Sequence, residues 1–441
     1  MKQLLRWYFK TPLIIRIIVC LLIGAATGVG LWMASEHSAQ VDAYKIISFI
    51  SPFGNIFVYM LKMIVIPIIF FSVLLGAASL PIKKFGSVGL KTIFWYLLTS
   101  VLAAVLGAAL ALMINPGAET ELTDWRQMAG QISEQAQEIG TKGETEGTFT
   151  SLLYSLFQNP FKALAEGNFL PIIVFAILSG LAIRVVMENS KNDESIRRLN
   201  VLLDIVKACR DVVFKLVDWV LEYSPVGVLA LTITNFGLYG PRIVGPYVSI
   251  TLGVVGGIII MVFVVYPLLM FAVTRHNPFV VLKKIKEAMI MAFVTRSSAA
   301  TLPISLKTAE KELGIHKELS SFSLPLGATI NMDGVCIHLL MFAVLAANMF
   351  GLNITFSSLT ILVLTTVLAS IGAGGVPGGS LMLLFIILEM MGLNSTQISV
   401  VVALALGINP ILDMFETMNN VTGDLVCTYT VASNENLINN D

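Results

Sequence analysis

Apolar runs long enough to cross a bilayer recur along this chain, and no other feature narrows its fold as much. Six come first, near residues 12–34, 46–79, 88–114, 151–187, 200–234 and 245–273. A helix needs about 20 apolar residues to cross the hydrocarbon core, so each run suffices. The second to fifth have length to spare for tilting, kinking or breaking. Only 13% of the 441 residues are charged, roughly half the usual share of a soluble chain. A β-barrel would show short alternating segments instead, and none is visible. The expectation is an all-α membrane protein. The basic and apolar N-terminus resembles a signal peptide, but its apolar run is too long and lacks a cleavage site, so it counts as the first span. Net charge is zero with no basic tract, which gives no reason to expect nucleic acid. Cys20, Cys209, Cys336 and Cys427 are scattered and read as small packing residues.

Loop charge sets the expected orientation. Lys2, Arg6 and Lys10 precede span one, Lys83, Lys84 and Lys91 follow span two, Lys191, Arg197 and Arg198 follow span four, and Arg275, Lys283, Lys284 and Lys286 follow span six. The alternate loops are poor in Lys and Arg, which predicts a cytoplasmic N-terminus. The acidic insert at about 118–150 then lies outside as a solvated loop. The last third differs. Residues 282–310 and 356–392 are apolar but interrupted by the small-residue tips TRSSAATLP and SIGAGGVPGGS. Each suits a helical hairpin that dips in and returns on one side, and each precedes a full span, 320–350 and 396–432. The two units enter from opposite sides. Inverted repeats with broken helices meeting near the midplane mark secondary transporters.

Chemistry concentrates in those two spans. Asp413, Glu416, Thr417, Asn420 and Asp424 share one helical face. Each central charge facing lipid would cost at least about 2.5 kcal/mol, so the stripe must face a cavity, a partner cation or bound ions. In GATINMDG (327–334), Asn331, Met332 and Asp333 sit beside Gly334 inside an apolar stretch. Glycine there favours an unwound turn, whose carbonyls, with carboxylates, suit a hard cation. Tyr96, Thr99 and Ser100 form an oxygen-bearing face on span three. N–H groups at the helix start in Arg296-Ser297-Ser298 suit a substrate carboxylate, and Asp413 suits an ammonium. Together these suggest an amino acid.

At these residues the sequence resembles the glutamate/aspartate transporter homologue family, the sodium:dicarboxylate symporters. The matching pieces are LKMIVIPIIF (61–70), NPFKALAEGNFLPIIVFAI (159–177), YSPVGVLAL (223–231), AFVTRSSAATLP (292–303), LPLGATINMDG (324–334), LASIGAGGVPGG (368–379) and LDMFETMNNVTGD (412–424). The resemblance implies eight transmembrane segments plus two re-entrant hairpins, a homotrimer, and elevator-like movement. Residues 1–79 and 151–243 would be scaffold, 80–150 segment three with the extracellular loop, 244–434 the transport core and 435–441 a cytoplasmic tail. It further implies sodium sites at Asn331, Asn420, Asp424 and the Gly327 carbonyl; at Thr329 with the Ser370, Ile371 and Ala373 backbone; and at Tyr96, Thr99, Ser100, Asn331 and Asp333. Substrate contacts would come from Ser298, the Val376–Gly378 region, Asp413, Thr417 and Asn420.

Departures from the family pattern bear on specificity. Acidic-substrate members carry an arginine where this chain has Glu416, and a threonine where it has Val335. Both partners of a second substrate carboxylate are therefore missing. Glu416-Thr417 and the GGS ending in Ser380 are similar to the bacterial serine/threonine symporters of the family, which have alanine in place of Asp333. The expectation is a sodium-coupled symporter for small neutral amino acids in a prokaryotic plasma membrane, with Ser380 near a substrate hydroxyl. Glu416 pairing with Arg296, or accepting a cationic side chain, stays open. His338 is read as a packing or hydrogen-bonding residue, or as a proton carrier; Leu339 stands where proton-coupled relatives have an acid. An enzyme finds no metal-ligand cluster, nucleophile elbow or phosphate loop here. A passive channel fits two oppositely entered hairpins less well than a gated transporter does.

Overall fold

The computed structural model describes residues 11–37, 43–78, 82–118, 157–166, 169–190, 192–372, 375 and 377–439. The acidic insert lies almost wholly outside these. The described chain is helical: α1 (Leu13–His37), α2 (Ala43–Ala78), α3 (Ile82–Ile114), α4 (Pro160–Glu166), α5 (Phe169–Asn189) and α6 (Asp193–Tyr239) come first. Then follow α7 (Val244–Ile260), α8 (Tyr266–Thr274), α9 (Pro278–Lys284), α10 (Lys286–Thr295) and α11 (Ser298–Lys311). The chain closes with α12 (Lys317–Ile330), α13 (Asp333–Phe350), α14 (Phe356–Ser370), α15 (Gly379–Met390) and α16 (Ser395–Asn434). Among the described residues, eight spans are long and apolar enough to cross a membrane, α7–α8 and α12–α13 each counting as one.

Three elements depart from the expected boundaries. Helix α6 has 47 residues, about 70 Å at 1.5 Å per residue, well beyond the predicted 200–234. Its N-terminal extension is polar: Asn192 caps it by accepting from the Glu194 N–H at 3.0 Å, and Asp193 and Glu194 complement the helix dipole. Apolar counting cannot find such an extension. In the sixth span, a π-helical turn at Met261–Val265 joins α7 to α8, a feature with no signature in a uniformly apolar run. The C-terminal tail is docked through residue 439: the His316 N–H donates to the Leu437 carbonyl at 3.0 Å and the Asn439 N–H to that of Gly314 at 2.8 Å.

Helix α6 packs along α1 and α2, and α5 along α2, while α3 lies against α13 and α16 packs against α10 to α13 and α15. Burial separates the layers. In the most apolar windows, 94% of the Lys317–Phe350 span and 78% of the Gln397–Asn434 span are buried, against 17% for α1. The two spans that carry the carboxylates are thus the interior ones, which keeps those charges off any lipid-facing surface.

Candidate functional site

Three interrupted elements meet in the interior. The first hairpin turns between α10 and α11 at Arg296, whose φ is +55°, and Ser297 caps α11 by accepting from the Ala300 N–H. The second turns between α14 and α15. The two tips touch: the Gly375 carbonyl accepts from the Ser297 hydroxyl at 2.9 Å and from the Ala299 N–H at 3.3 Å. Glycine is needed at 375, where φ is +65° and a Cβ would lie 2.4 Å from the Ala328 carbonyl oxygen. The third interruption is the Asn331–Met332 break between α12 and α13, at the turn predicted to unwind. Gly334 opens α13 against α16 so closely that a Cβ would sit 2.7 Å from the Glu416 Cα.

Between these elements lies a cavity of about 260 Å³, its open mouth included, lined by Ser298, Met332, Val335, Gly375, Gly379, Ser380, Asp413, Glu416, Thr417 and Asn420. Asp413 Oδ2 accepts from the Gly378 N–H at 3.1 Å and has Arg296 Nη1 at 3.9 Å. Glu416 Oε1 lies 2.7 Å from His338 Nδ1, both side chains being fully enclosed. In the tautomer that carries its proton on Nδ1, the imidazole is the donor in this contact. Asn420 Oδ1 accepts from the Gly334 N–H at 2.8 Å, and its Nδ2 faces the Met332 sulfur at 3.3 Å.

Beside the cavity runs a buried oxygen network. Asp333 accepts from the Ser100 hydroxyl at 2.7 Å on Oδ1 and from the Tyr266 hydroxyl at 2.7 Å on Oδ2. Asn331 Oδ1 accepts from the Thr99 hydroxyl at 3.2 Å, and its Nδ2 donates to Asp424 Oδ1 at 3.0 Å. The Tyr96 hydroxyl instead joins the Ser323 hydroxyl at 2.6 Å and that of Thr428 at 3.3 Å. No group of three or more His, Cys, Asp or Glu side chains suited to a metal ion occurs among the described residues. The oxygens of this network come from hydroxyls, amides and a carbonyl as much as from carboxylates.

Most sequence-predicted residues converge. Ser298, Val335, Ser380, Asp413, Glu416, Thr417 and Asn420 line the cavity, while Thr99, Ser100, Asn331, Asp333 and Asp424 share the oxygen network. Gly327 accepts the Asn331 N–H and abuts Asp424. Other expectations change. Arg296 approaches Asp413, and the buried partner of Glu416 is His338, so the suggested Arg296–Glu416 pair is not formed. The Ala299 and Ala300 N–H groups are already used between and within the tips, which leaves less of that helix start for a carboxylate. The Thr329 hydroxyl bonds the Pro325 carbonyl and the Ser370 hydroxyl that of Val367, both within their own helices; Ile371 forms part of the adjoining turn. Ala373 and Val376 lie outside the described residues. Sequence reasoning missed Tyr266, Ser323 and Thr428. Thr428 extends the Asp424 face by one turn and was findable; Tyr266 gave no signal in an apolar span.

Apolar spans surrounding a cavity lined by carboxylates and other polar groups, with broken helices meeting at it, define a multi-pass membrane protein of the transporter class. The family model for the sodium:dicarboxylate symporter family matches residues 13–434, and this chain belongs to that family. A serine/threonine transporter SstT of Streptococcus agalactiae is 30% identical over 436 residues, covering 97% of each chain. A protein of the same name from Bifidobacterium adolescentis is 32% identical over 422 residues, 95% of this chain and 89% of its own. The mouse excitatory amino acid transporter 3 is 30% identical over 424 residues, 86% of this chain and 78% of its own. The family and these relatives are transporters, and on that ground the enzyme class falls away.

Proposed function

We propose that this chain is a sodium-coupled secondary symporter that imports a small neutral amino acid of the serine, threonine or alanine type. The observation that carries the reading is the pairing of charges at the cavity. Both carboxylates there face it, Arg296 stands beside Asp413, and Glu416 has an imidazole for a partner. An acidic substrate would bring its second carboxylate toward Glu416 and Val335. Two like charges at about 4 Å repel by roughly 4 kcal/mol at an effective dielectric of about 20. A neutral side chain avoids that repulsion. Asp413 takes the ammonium, Ser298 and the hairpin tips hold the carboxylate, and Thr417 and Asn420 complete the contact. Sodium, as cotransported cargo, suits the Thr99, Ser100, Asn331, Asp333 and Asp424 oxygens, with the Gly327 and Ser370–Ile371 backbone contributing further sites.

In the same proposal the hairpins are re-entrant, and the 244–434 core moves with α3 as an elevator against a scaffold of α1, α2 and α4–α6. The assembly is a homotrimer in a prokaryotic plasma membrane with cytoplasmic termini. The test is uptake by proteoliposomes under an inward sodium gradient, with competition by a panel of amino acids. Gradient-dependent accumulation blocked by serine, threonine or alanine is expected. Strong inhibition by aspartate with none by these three would overturn the neutral assignment, and flux without accumulation would indicate a channel. The similarity to an excitatory amino acid transporter makes the acidic substrate the second reading.

A further inference from the structure

His338 is fully enclosed in the core. It stands three residues after Val335 on α13, and therefore on the face that lines the cavity. Its ring is held between two contacts. Phe342, one turn further on, lies 4.7 Å away centroid to centroid at 32°, and Nδ1 meets Glu416 Oε1 at 2.7 Å. The Gly334 approach to the Glu416 backbone makes that reach possible. One oxygen of Glu416 is thus committed, whereas Oε2 is buried and has no hydrogen-bond partner, on a residue that lines the cavity. A buried acceptor without a donor is costly, and a ligand that supplies the donor recovers that cost.

We infer that His338 is a positioning residue for substrate selection: by holding Oε1 it fixes Glu416 so that Oε2 alone receives a donor from the substrate side chain. This rests on the proposed amino-acid symport and narrows its substrate class. A guanidinium binds a carboxylate through two parallel bonds, and Glu416 has only one oxygen to give. A methyl side chain offers no donor and leaves Oε2 unpaired. A hydroxyl offers one donor, which matches the one free oxygen. The site therefore selects hydroxylated small amino acids over alanine, and it does so through an imidazole that need not touch the substrate. The other charged groups around the pair are spoken for: Asp413 faces Arg296 and the Gly378 N–H, and both Asp333 oxygens accept hydroxyls.

The experiment is sodium-driven uptake by the reconstituted full-length protein, comparing KM for serine and alanine in wild type, His338→Leu and His338→Asn. Leucine removes the donor; asparagine places an N–H at the Nδ1 position. Wild type is expected to favour serine by about tenfold, the yield of one hydrogen bond to a charged group. The Leu variant should bring the KM ratio near one through a rise in KM for serine alone, and the Asn variant should restore it. An unchanged ratio in the Leu variant, or no serine preference in wild type, overturns the inference. Should the Leu variant take up nothing, the Asn variant decides: a retained preference supports the role, and an unselective or inactive Asn variant overturns it. Failure of the underlying symport reading looks different, since wild type would then take up aspartate and neither serine nor alanine.

Discussion

Replacing Glu416 by Gln isolates the charge that is held to exclude acidic substrates. The amide matches the carboxylate in shape, and its oxygen can still accept from His338 Nδ1, now 2.7 Å from Oε1. The negative charge is lost, and the second oxygen, Oε2, becomes an NH2 donor that can meet an incoming carboxylate. The repulsion worked out above, roughly 4 kcal/mol at an effective dielectric of about 20, corresponds to about three decades in affinity at 1.4 kcal/mol per decade. Part of it is already offset in wild type by the imidazole donor, so one to two decades is the expected gain for aspartate. The assay is inhibition by aspartate of labelled neutral amino acid uptake in proteoliposomes, wild type against Glu416→Gln, at fixed sodium. An aspartate inhibition constant that does not move, in a variant that still transports, would refute the electrostatic account. Selectivity would then have to come from cavity shape.

Further outcomes follow from the surrounding contacts. Tyr266→Phe removes a hydroxyl donor to Asp333 and should cost about 1.5–3 kcal/mol; a raised half-saturation for sodium with an unchanged amino acid preference is expected from uptake titrations. Gly334→Ala forces a methyl against the Glu416 backbone and should cost about 1–3 kcal/mol, seen as a lower melting temperature in detergent together with reduced uptake. Ending the chain after Asn434 removes the pairing of Leu437 to Asn439 with Gly314 to His316. The detergent melting temperature should fall while the serine-to-alanine preference is kept.

The spans, the break at Asn331–Met332 and the polar face of α16 were legible because each is a local pattern. Apolar length, a glycine beside polar residues and an i, i+3, i+4 spacing all sit within a few turns of sequence. What was not legible depends on approach between distant elements. Opposite charge made Arg296 one open candidate for the partner of Glu416, yet the close seating of α13 on α16 at Gly334 brings His338 there instead. Tyr266 reaches Asp333 from the far end of a span whose neighbours are all apolar, so nothing in its own segment marks it. The docked tail is likewise long-range, since a polar C-terminus reads as free chain until Gly314 and His316 are seen beside it.

The Gly375 carbonyl, shared by a hydroxyl and an amide of the opposite hairpin, makes the two tips a latch. Any displacement that parts them must break both bonds to this one acceptor. The contact between the tips therefore resists small separations more than a single hydrogen bond would, since one acceptor serves two donors on the opposite hairpin.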